Sequence, residues 1–198
     1  MYRFFIVFAM AFFLSIQFAY AQHETRDADR QALLKILSDV EQGVNDKNLD
    51  LMLQHMDEHV VVTWLNAEVS NGTNAVRGYF TKMVGDAKTT VLKRYETHPI
   101  ITQPAVFYGD VAVAVGETED IFFPHDRSTF RLDSRWSAVL HKVDGEWKIV
   151  SLTLSNNVFD NTLLNELKGL MLYIVLGAFF GAILLSAFFY FLFGRKHE

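Results

Sequence analysis

RWSAVLHKVDGEWKIVSLTLS, residues 135–155, is the stretch of sequence that decides the fold. Its two halves are rich in β-branched and aromatic residues, which favour strands. Between them stands Asp144-Gly145, a pair typical of two-residue hairpin turns, in which both turn positions need a positive φ. The stretch therefore predicts an antiparallel hairpin built from strands over 130–143 and 147–155.

The segments upstream place helices first and most strands last. Apolar residues at three-and-four spacing over 27–44 predict an amphipathic helix, because that spacing puts them on one helical face. Helices gathered before a run of long strands predict an α+β domain, in which about three helices cover one face of a curved antiparallel sheet. The other predicted elements are helices over 49–56 and 73–84 and strands over 60–65, 89–102 and 106–123.

This order of elements resembles a known family. Residues 27–157, above all Asp-Gly-x-Trp-x-Ile-Val at 144–150 and GDVAVAVG at 109–116, resemble the NTF2-like superfamily in its SnoaL-like or ketosteroid-isomerase-like branch. The resemblance implies a cystatin-like cone with an apolar cavity between helices and sheet. It also implies a homodimer through the outer face of the sheet.

Two apolar segments flank the predicted domain. An uncharged run over 4–21 follows Arg3 and ends in Ala-Tyr-Ala, which is typical of a cleaved secretory signal peptide. An uncleaved anchor is the alternative, and either would export the domain behind it. Near the other end, residues 170–193 carry no charge, and a helix of that length exceeds the roughly 30 Å hydrocarbon core of a bilayer.

These segments predict the layout of the chain. Residues 1–21 form a signal peptide, 22–165 an extracytoplasmic domain, 168–193 a transmembrane helix and 194–198 a short basic cytoplasmic tail. The periplasmic side of a bacterial inner membrane is the favoured location, and a eukaryotic secretory membrane stays open. Gly177 and Gly181 form a GxxxG motif that would let two membrane helices pair, although small residues are frequent in such helices anyway.

Composition excludes several classes of function. When the charges of both ends are removed, the middle of the chain keeps 15 basic and 22 acidic residues, a formal charge of −7. Nucleic acid is thus not an expected partner. The chain has no cysteine, so disulfides, thiolate metal sites and cysteine nucleophiles are impossible.

The acid–base groups implied by the resemblance are missing. Ketosteroid-isomerase-like members carry a tyrosine on the first helix and an aspartate near the end of the first strand. In this chain the position of the tyrosine falls near Val40, and that of the aspartate falls near Thr63 or Trp64. Thr153 stands where many SnoaL-like members have a histidine. None of these side chains transfers protons at neutral pH. The resemblance alone therefore leaves open whether the chain is an enzyme, and we lean towards a binding role.

Glu117 and Glu119 are the remaining catalytic candidates. They share one face of a strand with Val113 and Val115, so they could project toward the cavity mouth. Arg135 and His141 could then be their partners. A buried carboxylate pair would supply an acid and a base. The alternative, which we favour, is that both are solvated, because carboxylates are almost never buried without partners.

A possible zinc motif lacks its structural context. His55 to His59 reads HxxEH, which needs both histidines on one helical face, but three valines come directly after it, so the helix should end between them. We predict no metal and no cofactor.

Aromatic and polar side chains of the strands remain as candidates for ligand contact, although strand aromatics are more often ordinary core. We favour a membrane-anchored, non-catalytic module that binds a hydrophobic small molecule or a partner protein. The alternatives are a SnoaL-like isomerase, dehydratase or cyclase and an assembly subunit of an envelope complex. The predicted ligand-binding residues are Trp64, Tyr95, Arg135, Trp136, His141 and Thr153.

Overall fold

The computed structural model describes residues 26–193, so the predicted signal peptide and the predicted cytoplasmic tail lie outside the described residues. The predicted helices and strands follow one another in the predicted order, and one unpredicted short strand, β2, lies between β1 and α3. The helices are α1 (26–45), α2 (Leu49–Leu53), α3 (Thr73–Met83) and α4 (Thr162–Phe193). The strands are β1 (Met56–Thr63), β2 (Val69–Asn71), β3 (Leu92–Ile101), β4 (Val106–Tyr108), β5 (Val111–Pro124), β6 (Phe130–Val143) and β7 (Glu146–Asn156).

One curved, open sheet contains all of these strands, in the order β2-β1-β7-β6-β5-β3, with β4 paired to β5. The predicted hairpin is confirmed: Asp144 and Gly145 have φ of 50° and 85°, and Val143 pairs with Glu146. The predicted strand over 106–123 is divided into β4 and β5, because Gly109 takes a positive φ and turns the chain. Pro99 is tolerated because β3 lies at the sheet edge.

The sheet is mixed, and not purely antiparallel as predicted. β1 runs parallel to β7, whereas the other pairs of named strands are antiparallel. Val84 also forms an isolated parallel bridge with Leu92. The pairing of β1 with β7 joins two strands that are far apart in the sequence, so a local sequence pattern cannot predict it. It joins β1 to the C-terminal hairpin in one sheet. Helices and a single mixed sheet in one domain confirm the α+β class.

The inner face of the sheet packs against α1, α2 and α3. Ile36 and Val44 of α1 and Phe80 of α3 share one core with Val62 of β1 and Leu140 of β6. On β5 and β6 the even-numbered residues face this core and the odd-numbered residues face outward. The helices therefore define the side of the sheet on which an internal site can form.

Helix α4 is long and apolar enough to span a membrane. Its apolar side chains are exposed along their length, among them Leu172, Phe180 and Leu184. Its sidedness, and its pairing through Gly177 and Gly181, stay predictions.

Candidate functional site

A cavity of about 240 Å³ lies between α1 and the inner face of β5, β6 and β7. Apolar side chains make up nearly all of its lining. From the helix come the leucines and valine of its buried face, and from the sheet come an indole and several small or branched side chains. The main ones are Leu33, Leu37, Val40, Trp136, Ala138 and Leu152.

Small residues on the sheet create the space. Ala114 and Ala138 face α1 where larger side chains would fill the gap. Gly116 lets the indole of Trp136 lie flat against the sheet, since a Cβ at Gly116 would come within 2.6 Å of two ring carbons. The indole N–H of Trp136 donates to the Glu117 carbonyl oxygen at 3.0 Å. The floor of the cavity is thus apolar, with its one indole donor satisfied by the backbone.

The mouth of the cavity carries its polar side chains, Arg30 and Gln103. Arg30 lies on α1, and its Nη1 donates to the Ala105 carbonyl oxygen at 3.2 Å. Its guanidinium lies 5.3 Å from the ring centroid of Phe107, over which the Arg26 guanidinium also lies at 4.9 Å. A cation therefore stands at the opening of an otherwise apolar space.

Asp29 fixes the N-terminal part of α1 beside this mouth. Its Oδ1 accepts hydrogen bonds from Lys142 Nζ at 2.7 Å and from Trp147 Nε1 at 2.9 Å, which ties α1 to the β6–β7 hairpin. Burial raises the pKa of the Asp29 carboxyl, but these two bonds and the nearby charges of Lys142 and Arg26 outweigh burial and leave the pKa below its ordinary value. This ionised, buried carboxylate holds the helix in register over the cavity.

A second, smaller pocket of about 60 Å³ lies between α3 and the sheet, and its walls are aromatic. Trp64 and Tyr79 stack with ring centroids 4.1 Å apart, and Phe80 meets Trp64 edge-on at 5.4 Å. Burial, with the charge of Glu68, raises the pKa of Tyr79 to about 12. Tyr95 forms a further wall of this pocket.

Behind Tyr95 lies a buried carboxyl that the sequence patterns did not single out. Asp120 on β5 is 0% exposed, and its Oδ1 accepts from Tyr95 Oη at 2.7 Å, Thr97 Oγ1 at 2.9 Å and Thr118 Oγ1 at 3.2 Å. Burial raises the pKa of Asp120 more than these hydrogen bonds lower it. Burial and the neighbouring carboxylate likewise raise the pKa of Tyr95 well above its ordinary value.

One oxygen of this carboxyl is left without a good partner. The Ser134 hydroxyl lies near enough to lower the pKa of Asp120, yet neither Ser134 Oγ nor Asp120 Oδ2 makes a hydrogen bond of good geometry. Buried polar atoms are normally paired, so such a group marks a candidate chemical site. Its position two residues beyond Thr118 and four beyond Gly116 on one face was the signal available in the sequence.

Glu117 and Glu119 lie on the outer face of β5, on the opposite side of the sheet from the cavity. Glu117 Oε1 is 2.7 Å from Arg135 Nη2, and Glu119 pairs with Arg131. The cross-strand register sets the first of these pairs, because Glu117 lies opposite Arg135. Neither carboxylate has access to the space under α1.

The six predicted ligand-binding residues divide between the two faces. Trp136 lines the larger cavity, while Trp64 and Tyr95 line the aromatic pocket. The other three are exposed on the outer face of β6 and β7, where the strand alternation directs them away from the core; they are Arg135, His141 and Thr153.

The two histidines of the HxxEH motif lie on different elements. His55 comes after α2 and its Nε2 is 2.7 Å from Asp39 Oδ2, whereas His59 is exposed on β1. Within residues 26–193 no group of three or more histidine and carboxylate side chains could hold a metal ion.

Comparison with known proteins identifies the family of this domain. The model of the SnoaL-like domain matches residues 33–159, which is more than half of the chain. The chain belongs to the SnoaL-like domain family. No curated protein matches it in sequence.

Solved structures share the fold of this SnoaL-like domain at low sequence identity. A type 2 hexachlorocyclohexane dehydrochlorinase has a TM-score of 0.61 and 14% identity, and the match covers 69% of this chain and 89% of the enzyme. An NTF2-like superfamily protein from Salmonella enterica serovar Typhimurium has a TM-score of 0.56 and 16% identity, with 67% and 94% covered. A ketosteroid isomerase-like protein from Erwinia carotovora has 0.55 and 11%, with 65% and 95% covered. These likenesses establish the fold.

Proposed function

We propose that the domain binds an apolar small molecule in the cavity between α1 and the sheet, without acid–base chemistry in that cavity. The composition of the lining carries this proposal. Among the described residues that line it, only Arg30 and Gln103 have polar side chains at the rim, and neither a guanidinium nor an amide serves as a general acid or base near neutral pH. A concave apolar space with a few polar groups at its rim is the usual form of a small-molecule site.

The predicted anchor gives this function its location. We propose that α4 spans a membrane and that the domain lies outside the cytoplasm beside it, which rests on the apolar helix and on the predicted signal peptide. A homodimer is a further part of this proposal, and an assembly subunit bound to an envelope protein is the alternative. Cross-linking in native membranes would separate them, since a dimer gives twice the mass of one chain and a hetero-complex does not.

Filling the cavity tests the binding function. The full chain is purified in lipid nanodiscs and its native mass is compared with its denatured mass, after incubation with apolar compounds of about ten carbons. Ala138→Phe places a ring in the cavity, and Ser137→Phe, on the exposed face of the same strand, is the matched control. We expect bound mass in the wild type and the control and none in Ala138→Phe. Equal occupancy in all three would rule out the cavity as the site.

An acid–base enzyme is the second candidate, and the unpaired oxygen of Asp120 favours it. Here the ionised form of Asp120 would take the hydroxyl proton of Tyr95 on Oδ1, and the oxygen of Tyr95, which lines the aromatic pocket, would take a proton from the bound substrate. Because one structural neighbour is a hexachlorocyclohexane dehydrochlorinase, chloride release from that compound is the first assay. Chloride release would favour the enzyme if Asp120→Asn abolished it and Glu119→Gln left it unchanged.

A further inference from the structure

The cation at the opening of the cavity has no ion-pair partner among residues 26–193. Arg30 forms no ion pair with any residue of the part of the chain that the structure describes; its one hydrogen bond goes to the Ala105 carbonyl oxygen at 3.2 Å. Arg26 beside it is different, because it lies 3.5 Å from Asp29. A guanidinium has five N–H donors, so most of those on Arg30 remain available to a ligand.

The size of the cavity limits what fits behind that cation. An apolar cavity of about 150 Å³ holds one benzene molecule in another protein. By proportion, 240 Å³ holds about ten carbon atoms, which is one short chain and not the two long chains of a membrane lipid. The described walls offer no polar partner beyond the mouth, so the part of the ligand that enters must be apolar.

We infer that the ligand is a single-chain carboxylic acid of about ten carbons, whose tail fills the cavity under α1 and whose carboxylate pairs with Arg30. This inference rests on the proposed binding function and names its ligand class. Arg30 suits the role because a guanidinium pairs with a carboxylate through two parallel hydrogen bonds. Gln103 on the same rim has an amide that can donate a further bond.

A matched pair of probes tests the class of ligand. The full chain in neutral-lipid nanodiscs is titrated with 10-bromodecanoate or with the uncharged 10-bromodecan-1-ol, and saturable quenching of tryptophan fluorescence reports entry, since Trp136 lines the cavity. The variants are Arg30→Gln, Ala138→Phe and the control Lys88→Gln, which removes an exposed cation that does not line the cavity. Empty nanodiscs give the background from partition into lipid.

We expect the acid to bind at least tenfold more tightly than the alcohol. Arg30→Gln should abolish this preference and leave the affinity for the alcohol unchanged, whereas Lys88→Gln should alter neither. Ala138→Phe should remove saturable quenching by both probes. A preference for the acid that survives in Arg30→Gln, or equal affinities in the wild type, would overturn the carboxylate assignment while leaving the binding function intact.

Two further outcomes separate the remaining possibilities. If neither probe quenches the wild type saturably, the proposed binding function fails, and this inference fails with it. Repeating the titration in nanodiscs that contain phosphatidylglycerol should leave the affinity for the uncharged alcohol unchanged, since the negative surface repels only the acid. A tenfold loss for the alcohol there would assign the cavity to a membrane lipid and overturn the free acid as its ligand.

Discussion

Gly116→Ala is the substitution that probes the floor of the cavity most directly. The added methyl carbon would lie 2.6 Å from two ring carbons of Trp136 and closer still to the carbonyl oxygen of Ile100. The carbonyl belongs to the paired β3–β5 ladder and cannot swing aside, so the indole or the strand must shift. Overpacking of this kind costs about 1–3 kcal/mol.

A displaced indole also weakens the hydrogen bond from Trp136 to the Glu117 carbonyl, which contributes about 1 kcal/mol. The lower entropy of the unfolded chain offsets roughly 0.4–1 kcal/mol of these losses. We therefore expect the free energy of unfolding to fall by about 1–3.5 kcal/mol.

The control is the same substitution at Gly78, in the middle of α3, where an added Cβ would meet nothing within 4 Å. Gly78→Ala should raise the free energy of unfolding by about 0.5–1 kcal/mol through helix propensity. With a denaturant slope of about 2 kcal/mol/M, the two urea midpoints should differ by about 1.5 M when tryptophan fluorescence of the full chain is followed. A midpoint for Gly116→Ala at or above that of the wild type would refute the contact between Gly116 and Trp136.

Three further changes give distinct outcomes. Asp29→Asn should lower the free energy of unfolding by about 2 kcal/mol because the partly buried Lys142 loses its counter-charge. Since the pKa of Asp29 is lowered in the fold, its contribution is present above the carboxyl's ordinary pKa and lost as pH falls below it, so urea midpoints of wild type and variant should converge in acid. Asp120 has the opposite sign, because its raised pKa means that the fold favours the protonated form. The stability of the wild type should therefore fall relative to that of Asp120→Asn as pH rises above the carboxyl's ordinary pKa. Urea midpoints of the two proteins that stayed a constant distance apart as pH changed would contradict this. Glu117→Gln removes an exposed ion pair and should change the free energy of unfolding by less than about 1 kcal/mol, with native mass spectrometry showing unchanged ligand occupancy.

Local patterns in the sequence were enough for the elements themselves. The Asp144-Gly145 turn, the three-and-four spacing of α1 and the uncharged run of α4 each reflect short-range physics: a positive φ, a helical face and a length to cross lipid. The three-residue strand β2 was missed because so short an extended segment has no measurable period.

The tertiary structure decided which side of β5 faces the helices. Successive side chains of a strand point to opposite faces, so the pattern alone does not tell which face is buried. The first residues of β5 are apolar on both faces, with Ala112 and Ala114 on one and Val113 and Val115 on the other. The sequence therefore could not tell whether Glu117 or Asp120 is buried. The face with small residues is the buried one, because α1 and the indole of Trp136 fit against the strand there. Asp120 lies on the same face and is therefore in the core.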